Sequence, residues 1–373
     1  MDRIFFEGIR CFATRQEVPL APLTVLVGEN SSGKSTVLAL VRLAWDLAMY
    51  QKTPDFNEEP FLLGAYEQIA SKTGKGVQAQ FSLGCETAGF SVSGTFGQRA
   101  GQPFLMEKRH EATDQLGKME VAGLAEGDKA SEDFLKEWGV YAHARLILGP
   151  RPYAFAPVRT RPQRTYDPIK GAERPEGSHV PMILASAPWT DPDHWKELFS
   201  ALDSFGGQSG LFSKVEVRHL GKNAGDPFQI QVHVGGGAVN LIDVGYGVSQ
   251  VLPIVVDCLR GEDGGTFLLQ QPEVHLHPRA QAELGSFLGV LAKQQKKRFV
   301  IETHSDHLVD RIRMDIRDGK GLKPEDVSLL YFERKNGQAN IHRLTLDEHG
   351  NLLDPPPGYR SFFLEEERRF LGG

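Results

Sequence analysis

One nine-residue stretch limits what this chain can fold into more than any other. Residues 28–36 read GENSSGKST and fit the phosphate-binding pattern GxxxxGK[ST]. An apolar run at 23–27 leads into the stretch, and a helical pattern from 36 to about 47 follows it. Strand, glycine-rich loop and helix in this order form the context that the pattern requires. An ordinary glycine turn before a helix is the alternative, and motifs further along the chain weigh against it.

The chemistry of such a loop is that of anion binding. Backbone N–H groups and the positive end of the following helix surround phosphate oxygens. Lys34 is predicted to reach the β- and γ-phosphates, and the Ser35 hydroxyl is predicted to hold Mg²⁺. The residues of this loop predicted to bind nucleotide are Gly28, Asn30, Ser31, Ser32, Gly33, Lys34, Ser35 and Thr36.

Composition narrows the class of protein. The chain has 373 residues, 40% hydrophobic and 24% charged, which suits globular material of up to two domains. The net charge of −6 argues against a surface built wholly for nucleic acid and leaves a local patch open. The three cysteines show no CxxC spacing, and no apolar run reaches the roughly 18 residues that span a bilayer. A cytoplasmic protein with no membrane partner is expected.

The residue pattern and composition change twice in the middle of the chain. Alternating apolar residues over 77–96 predict an antiparallel hairpin, whereas 98–142 is polar and irregular, with a helix expected at 131–138. Residues 145–170 are rich in Arg and Pro and are expected to be extended. This segment could contact nucleic acid or phosphate, or it could be an arm folded over an acidic body. Both interpretations stay open.

Local patterns predict the remaining elements. Strands are expected at 3–12, 215–234 (two strands), 266–269, 299–301, 327–332 and 339–344, and helices at 193–205, 251–259, 279–293, 306–317 and 362–370. The predicted divisions are an N-terminal part with the phosphate loop (1–97), an inserted region with the Arg/Pro-rich arm (98–195), a C-terminal part (196–345) and a tail (346–373).

Several motifs carry a family resemblance. They read FxxLG at 61–64, PxRxxPxR at 157–164, GxGxSQVLPI at 245–254, QPExHLHP at 271–278 and ETHSDHL at 302–308, and the first two fit loosely. With the phosphate loop, this set resembles the ATP-binding-cassette (ABC) class of ATPase heads. It is most similar to bacterial stand-alone AAA-type ATPases with a DUF3696-like C-terminal region, related to the OLD-like proteins. The resemblance implies an α/β fold with a RecA-like parallel sheet, an antiparallel β lobe and an inserted middle region.

The resemblance also implies roles at two strand ends. Gln270 stands where related heads hold Mg²⁺ through an acid, and Gln271 stands where they carry a water-polarising glutamate. An amide brings no negative charge to Mg²⁺ and cannot act as a general base. Hydrolysis is therefore expected to be weak, with ATP joining two heads, unless Glu273 or Glu302 takes over part of the role. His304 matches the switch histidine that contacts the γ-phosphate. The predicted catalytic residues are Gln271, Glu273 and His304, and the predicted metal ligands are Ser35 and Gln270.

The resemblance also implies a second nucleotide-binding surface at residues 245–250, which stand where related heads carry their signature turn. Gly245, Gly247, Ser249 and Gln250 are expected to meet the γ-phosphate of a partner's ATP, although either Gly245 or Ser249 could occupy the place of the signature serine. His275 and His277 are interpreted as part of a dimer-contact loop rather than a metal site, because a third ligand is missing nearby. The glutamine that senses Mg²⁺ could be Gln68, Gln78 or Gln80.

Three functions fit these motifs to different degrees. The favoured one is an ATP-dependent switch that uses ATP and Mg²⁺, forms a homodimer with ATP at its interface and regulates a separate effector such as a nuclease in anti-phage defence. The alternative is a DNA-repair ATPase acting directly on nucleic acid, for which the arginine-rich arm is the best support. A transporter subunit fits the GxGxSQ turn and the long middle region poorly.

Overall fold

The computed structural model describes residues 1–50, 52–74, 76–114, 117–124, 144–145, 147–190, 194–223, 225–359 and 368–369, with backbone alone over 112–114 and 117–124. The chain divides into two compact units. The terminal unit comprises Met1–Pro152 and Lys323–Gly373, and the central unit comprises Tyr153–Leu322. The predicted boundaries at 97, 195 and 345 remain a prediction about domain organisation.

The first part of the terminal unit contains strands and two helices: β1 (Arg3–Glu7), β2 (Gln16–Pro19), β3 (Leu23–Gly28), α1 (Lys34–Met49), α2 (Tyr66–Ile69), β4 (Lys72–Thr73), β5 (Gly76–Val77), β6 (Phe81–Thr87), β7 (Phe90–Arg99), β8 (Gln102–Asp114) and β9 (Gly117–Leu124).

The central unit alternates strands and helices: β10 (Tyr153–Phe155), α3 (Val180–Thr190), α4 (Trp195–Ser209), β11 (Lys214–His219), β12 (Phe228–Val234), β13 (Gly237–Asn240), a 3₁₀ turn (Leu241–Asp243), α5 (Tyr246–Arg260), β14 (Thr266–Gln270), α6 (Pro278–Gln294), β15 (Arg298–Glu302) and α7 (Asp306–Arg317). The terminal unit then resumes with a 3₁₀ turn (Pro324–Asp326), β16 (Val327–Lys335), β17 (Gln338–Leu346) and β18 (Leu352–Leu353).

The terminal unit holds an antiparallel sheet and the strand that enters the phosphate loop. The antiparallel sheet has the order β2-β1-β6-β7-β8-β9. Strand β3 pairs in parallel with β16, and β16 continues antiparallel into β17 and β18. Strand β3 is buried from Leu23 to Val27 without alternation, as expected of a strand covered on both faces. Helix α1 packs against β6 and β7 and is buried at every position except Ser35 and Met49.

The central unit holds three parallel strands in the order β10-β14-β15. The register pairs Gln270 at the end of β14 with Glu302 at the end of β15. Parallel strands end at one edge of a sheet, where α/β folds place their ligand sites. A separate antiparallel sheet has the order β11-β12-β13. Among the described residues, no helix is both long and apolar enough to cross a membrane.

Most predicted elements are confirmed, and helix α7 has the predicted bounds. The strand expected over 3–12 was too long, because it ends at Glu7 where Gly8 and Arg10 adopt positive φ angles of 74° and 48°. Helix α3 was not predicted. The expected helix at 131–138 lies outside the described residues, and so does the expected tail helix at 362–370 apart from residues 368–369.

The expectation of irregular structure from residue 98 was also wrong, since β8 and β9 continue the antiparallel sheet to Leu124. The buried face of β8 is carried by Leu105, Lys108 and His110. The register also shifts between Thr95 and Phe96 on the neighbouring strand β7. Two buried polar residues and a bulge hide the alternation by which a strand is normally recognised.

Candidate nucleotide site

The phosphate loop in the terminal unit has the backbone geometry that only glycine tolerates. Gly28 and Gly33 have φ angles of +139° and +101°. A Cβ atom would lie 2.3 Å from the Phe332 carbonyl oxygen at the first position and 2.4 Å from the Phe12 ring at the second. A side chain at either position would therefore clash as well as strain the backbone. The two glycines of the motif are required by packing within the terminal unit itself.

Lys34 lies folded into this loop. Its side chain is buried, and its ammonium donates hydrogen bonds to the carbonyl oxygens of Gly28 (2.9 Å) and Glu29 (2.6 Å). Helix α1 begins at Lys34, and no side chain caps its start. A positive charge and an uncapped helix N-terminus together favour an anion. The loop therefore fits the phosphates of a nucleotide.

The other predicted residues of the loop divide into two groups. Asn30, Ser31 and Ser35 are exposed, so the Ser35 hydroxyl is accessible at the first turn of α1. Ser32 and Thr36 are buried. Ser32 donates through its Oγ to the Glu29 carbonyl at 2.7 Å and so supports the loop conformation.

Two arginines that sequence reasoning missed also contact the loop. Arg10 donates to Thr36 Oγ1 (3.2 Å) and to the Leu63 carbonyl (3.0 Å), and partial burial lowers its pKa. Arg334 donates to the Ser31 carbonyl at 3.0 Å. Together with Lys34 they surround the loop with positive charge, which suits a polyphosphate.

The candidate glutamines between α1 and β6 are engaged differently. Gln68 accepts a hydrogen bond from the Ala65 N–H at 2.9 Å, at the start of α2. Gln80 donates to the sulfur of Met106 at 3.6 Å. Gln78 lies beside Gly8, where a Cβ atom would meet its Oε1 at 2.3 Å. The identity of a Mg²⁺-sensing glutamine stays open among them.

The central unit brings together the polar ends of β14 and β15. Gln270 is 8% exposed, and among the described residues its Oε1 has no hydrogen-bond partner. Gln271 has a φ angle of +43°, and its N–H donates to the Glu302 carbonyl at 2.8 Å. The chain turns sharply here, which is typical of strained backbone at functional sites.

Glu273 is a buried carboxylate at this edge of the central unit. It is 6% exposed, and its Oε1 accepts the His304 N–H at 2.8 Å. Burial raises the pKa of Glu273, while hydrogen bonds from His304 and Thr303 and the charge of Arg159 act in the opposite direction. Its Oε2 has no hydrogen-bond partner among the described residues. A carboxylate with a raised pKa is a better proton acceptor than an ordinary one.

The predicted switch histidine lies at this same edge. His304 is exposed, and its backbone is the group that binds Glu273. The next residue, Ser305, caps α7 by accepting the Leu308 N–H at 3.0 Å. The structure therefore joins two of the predicted catalytic residues, Glu273 and His304, through one hydrogen bond.

The signature turn begins α5. Gly245 has open space around its Cα, whereas a Cβ atom at Gly247 would lie 2.5 Å from the His275 carbonyl oxygen. The ring of Tyr246 packs edge-on against that of His275, with centroids 4.8 Å apart. The start of α5 thus packs closely against the turn that carries His275.

Ser249 and Gln250, by contrast, have buried side chains. Ser249 Oγ donates to the Tyr246 carbonyl at 2.8 Å, and Gln250 Oε1 accepts the Arg159 N–H at 3.3 Å. Both side chains therefore make contacts within the central unit, and their predicted contact with a partner's nucleotide stays a prediction.

No group of three His, Cys, Asp or Glu residues that could hold a metal ion occurs in the part of the chain that the structure describes. His277 caps α6 by accepting the Ala280 N–H at 3.4 Å. Helix capping therefore explains the placement of His277, one of the two neighbouring histidines His275 and His277.

The arginine-rich segment is held by protein contacts at three of its arginines. Arg151 pairs with Asp46 at 2.7 Å in the terminal unit. In the central unit, Arg164 pairs with Asp243 at 2.7 Å and Arg159 is 2% exposed. These contacts support the interpretation of an arm folded onto the protein over that of a nucleic-acid contact.

Two family models match separate parts of the sequence. The family model described as "AAA domain, putative AbiEii toxin, Type IV TA system" matches residues 124–310, and "Protein of unknown function (DUF3696)" matches residues 322–365. The first match begins after the phosphate loop and covers the central unit almost entirely. No curated protein matches the sequence.

Solved structures of SMC heads resemble the whole chain. The SmcHead bound to the C-winged helix domain of ScpA aligns with a TM-score of 0.55 and 10% identity over 93% of this chain and 98% of that one. An SMC head from Thermotoga maritima (TM-score 0.42, 12% identity, 92% and 99% coverage) and a Pyrococcus furiosus head with an extended coiled coil bound to the C-terminal domain of ScpA (0.47, 9%, 98% and 99%) also match.

The alignment above 0.5 confirms the predicted fold class, the ABC-type ATPase head. The family match confirms the AAA-type resemblance, and the second match confirms the DUF3696-like C-terminal region. The chain belongs to the AAA family described as putative AbiEii toxin of a Type IV TA system.

Proposed function

We propose that the chain is an ATP-binding switch that binds ATP with Mg²⁺ at the phosphate loop, dimerises on ATP and regulates a separate effector. The observation that carries the proposal is the buried Lys34 ammonium inside a loop whose two glycines cannot be replaced without a clash. A lysine amine that can exchange carbonyl partners for phosphate oxygens supports nucleotide binding. A cytoplasmic location with a nuclease-type effector in anti-phage defence is part of this proposal.

Slow turnover follows from the residues at the end of β14. Neither predicted metal ligand brings negative charge. Ser35 has a hydroxyl, and Gln270 has an amide oxygen that, within the described part of the chain, has no hydrogen-bond partner. Mg²⁺, when bound, neutralises charge on the phosphate oxygens. Gln271 can orient a water but cannot take its proton. Glu273, with its raised pKa, is the carboxylate proposed to accept that proton.

Two exposed positions in the central unit support the proposed dimerisation of two copies around ATP. Exposed His304 and the open surface at Gly245 are groups that a γ-phosphate could contact. The alternative of a DNA-repair ATPase has lost its best support, because Arg151, Arg159 and Arg164 make protein contacts.

The test replaces Lys34 by Ala and uses Lys72→Ala, an exposed lysine of the same unit, as the control. Titration with a fluorescent ATP analogue should show at least a hundredfold weaker binding for K34A and unchanged binding for K72A. Light scattering after gel filtration should show an ATP-dependent dimer for wild type and K72A, and a monomer for K34A. Wild-type affinity in K34A would overturn the nucleotide site, and an ATP-bound wild-type monomer would overturn the dimer.

A further inference from the structure

Arg159 is a buried cation at the edge of the central unit where β14 ends. It follows β10, and β10 pairs in parallel with β14 so that Phe155 lies opposite Leu269. The extended chain after β10 is fixed by backbone hydrogen bonds from Ala156 to Pro175 and from Thr160 to Glu176, both 2.9 Å. Arg159 is therefore held beside the end of β14 by its own backbone.

Two hydrogen bonds tie Arg159 to the candidate site. Its Nη2 donates to the Gln270 carbonyl at 3.3 Å, and its backbone N–H donates to Gln250 Oε1 at 3.3 Å. Its positive charge also acts on Glu273, whose pKa it lowers. Gln250 lies in the first turns of α5, and Gln270 lies at the end of β14. Arg159 thus connects the start of α5 through its backbone to the end of β14 through its side chain.

Four buried polar atoms of this group have no hydrogen-bond partner among the described residues. They are two donors, Arg159 Nε and Gln250 Nε2, and two acceptors, Gln270 Oε1 and Glu273 Oε2. Buried polar groups are nearly always satisfied by protein or by ordered water. Arg159 therefore belongs to a buried polar cluster at the end of β14.

We propose that Arg159 is a positioning residue for ATP hydrolysis, which fixes the end of β14, and with it the turn that leads to Glu273, relative to the start of α5. This inference rests on the proposed function. Movement at the signature turn would reach Glu273 through Gln250 and Arg159, so the proton acceptor is aligned when α5 is in place. Arg159 does not itself touch nucleotide in this role.

The experiment compares Arg159→Met, Arg159→Lys and Arg161→Met, where Arg161 is an exposed arginine two residues along the same segment. Phosphate release and the stoichiometry of bound ATP analogue are measured for each variant and for K34A. R159M should lower kcat at least tenfold, with KM within twofold and full binding stoichiometry. R159K keeps the charge and should recover part of kcat, and R161M should match wild type.

The outcomes separate the two proposals. Wild-type phosphate release that K34A does not reduce overturns the proposed hydrolysis and this inference with it. Release that depends on Lys34 but is unchanged in R159M overturns this inference alone. Equal loss in R159M and R159K, or loss of ATP stoichiometry together with kcat, shows a merely structural role and also overturns it.

Discussion

The buried Arg159 makes a quantitative prediction about stability. Arg159 is 2% exposed, and burial lowers its pKa to about 10, so the guanidinium stays charged at neutral pH. Arg159→Met removes the hydrogen bonds that this cation donates to the Gln270 and Pro157 carbonyls, and it removes a positive charge that acts on the buried Glu273. Losing hydrogen bonds from a buried charged group costs about 1.5–3 kcal/mol, so this variant should destabilise the protein by that amount.

Glu273→Gln should cost less, roughly 1 kcal/mol, because the amide oxygen can still accept the His304 N–H. The double variant removes both interacting charges, so its cost should fall below the sum of the two single costs by about 0.5–1 kcal/mol. Urea unfolding followed by circular dichroism measures all three variants. Arg164→Met, at an exposed pair with Asp243, is the control and should cost less than about 1 kcal/mol.

The pH dependence has a definite sign. Because burial raises the pKa of Glu273 above its unfolded value, the folded state binds the proton more tightly. That contribution to stability is present below the unfolded pKa and is lost as pH rises through the folded pKa. The positive charge of Arg159 and the hydrogen bonds from His304 and Thr303 limit the shift, so R159M should make this loss larger. Costs of R159M and E273Q that add within about 0.5 kcal/mol at pH 7, with no added pH dependence in R159M, would refute the coupling.

Two further predictions test the loop and the glutamines. Gly33→Ala places a Cβ atom 2.4 Å from the Phe12 ring and should weaken ATP-analogue binding at least tenfold, whereas Gly207→Ala in α4, where nothing lies within 4 Å, should leave binding unchanged. Equal affinities would contradict the steric argument. Gln270→Asp combined with Gln271→Glu should raise phosphate release at least tenfold, and an unchanged rate would show that the missing acids do not limit turnover.

Local patterns were sufficient for the parts of the site that lie within a few residues of one another. The phosphate loop between β3 and α1 and the turn from Glu302 to Ser305 were both predicted from a strand, a short polar segment and a helix. In these segments the backbone geometry and the chemistry are set by neighbouring residues. The sequence therefore specified them directly.

The supporting cations could not be predicted in this way. Arg334 lies 303 residues from Ser31, and Arg159 lies 111 residues from Gln270. An arginine in a Pro-rich segment gives no sign of burial, since burial depends on the parallel pairing of β10 with β14. Strand β8 was missed for a related reason, because its buried face includes Lys108 and His110. Long-range pairing decides the two arginines, whereas buried polar side chains decide β8.

The charge balance of the central unit gives Gln270 and Gln271 a physical meaning. Glu273 and Glu302 are both buried at the edge where β14 and β15 end, and Arg159 is the buried cation that attracts Glu273. Acids at 270 and 271 would add two negative charges to this edge, and like charges in a poorly solvated site repel strongly. Because the amides of Gln270 and Gln271 are neutral, they add no such repulsion, and the strand ends need no second cation beside Arg159. A head built this way can stay folded between encounters with ATP, which suits a protein that detects the nucleotide more than one that consumes it.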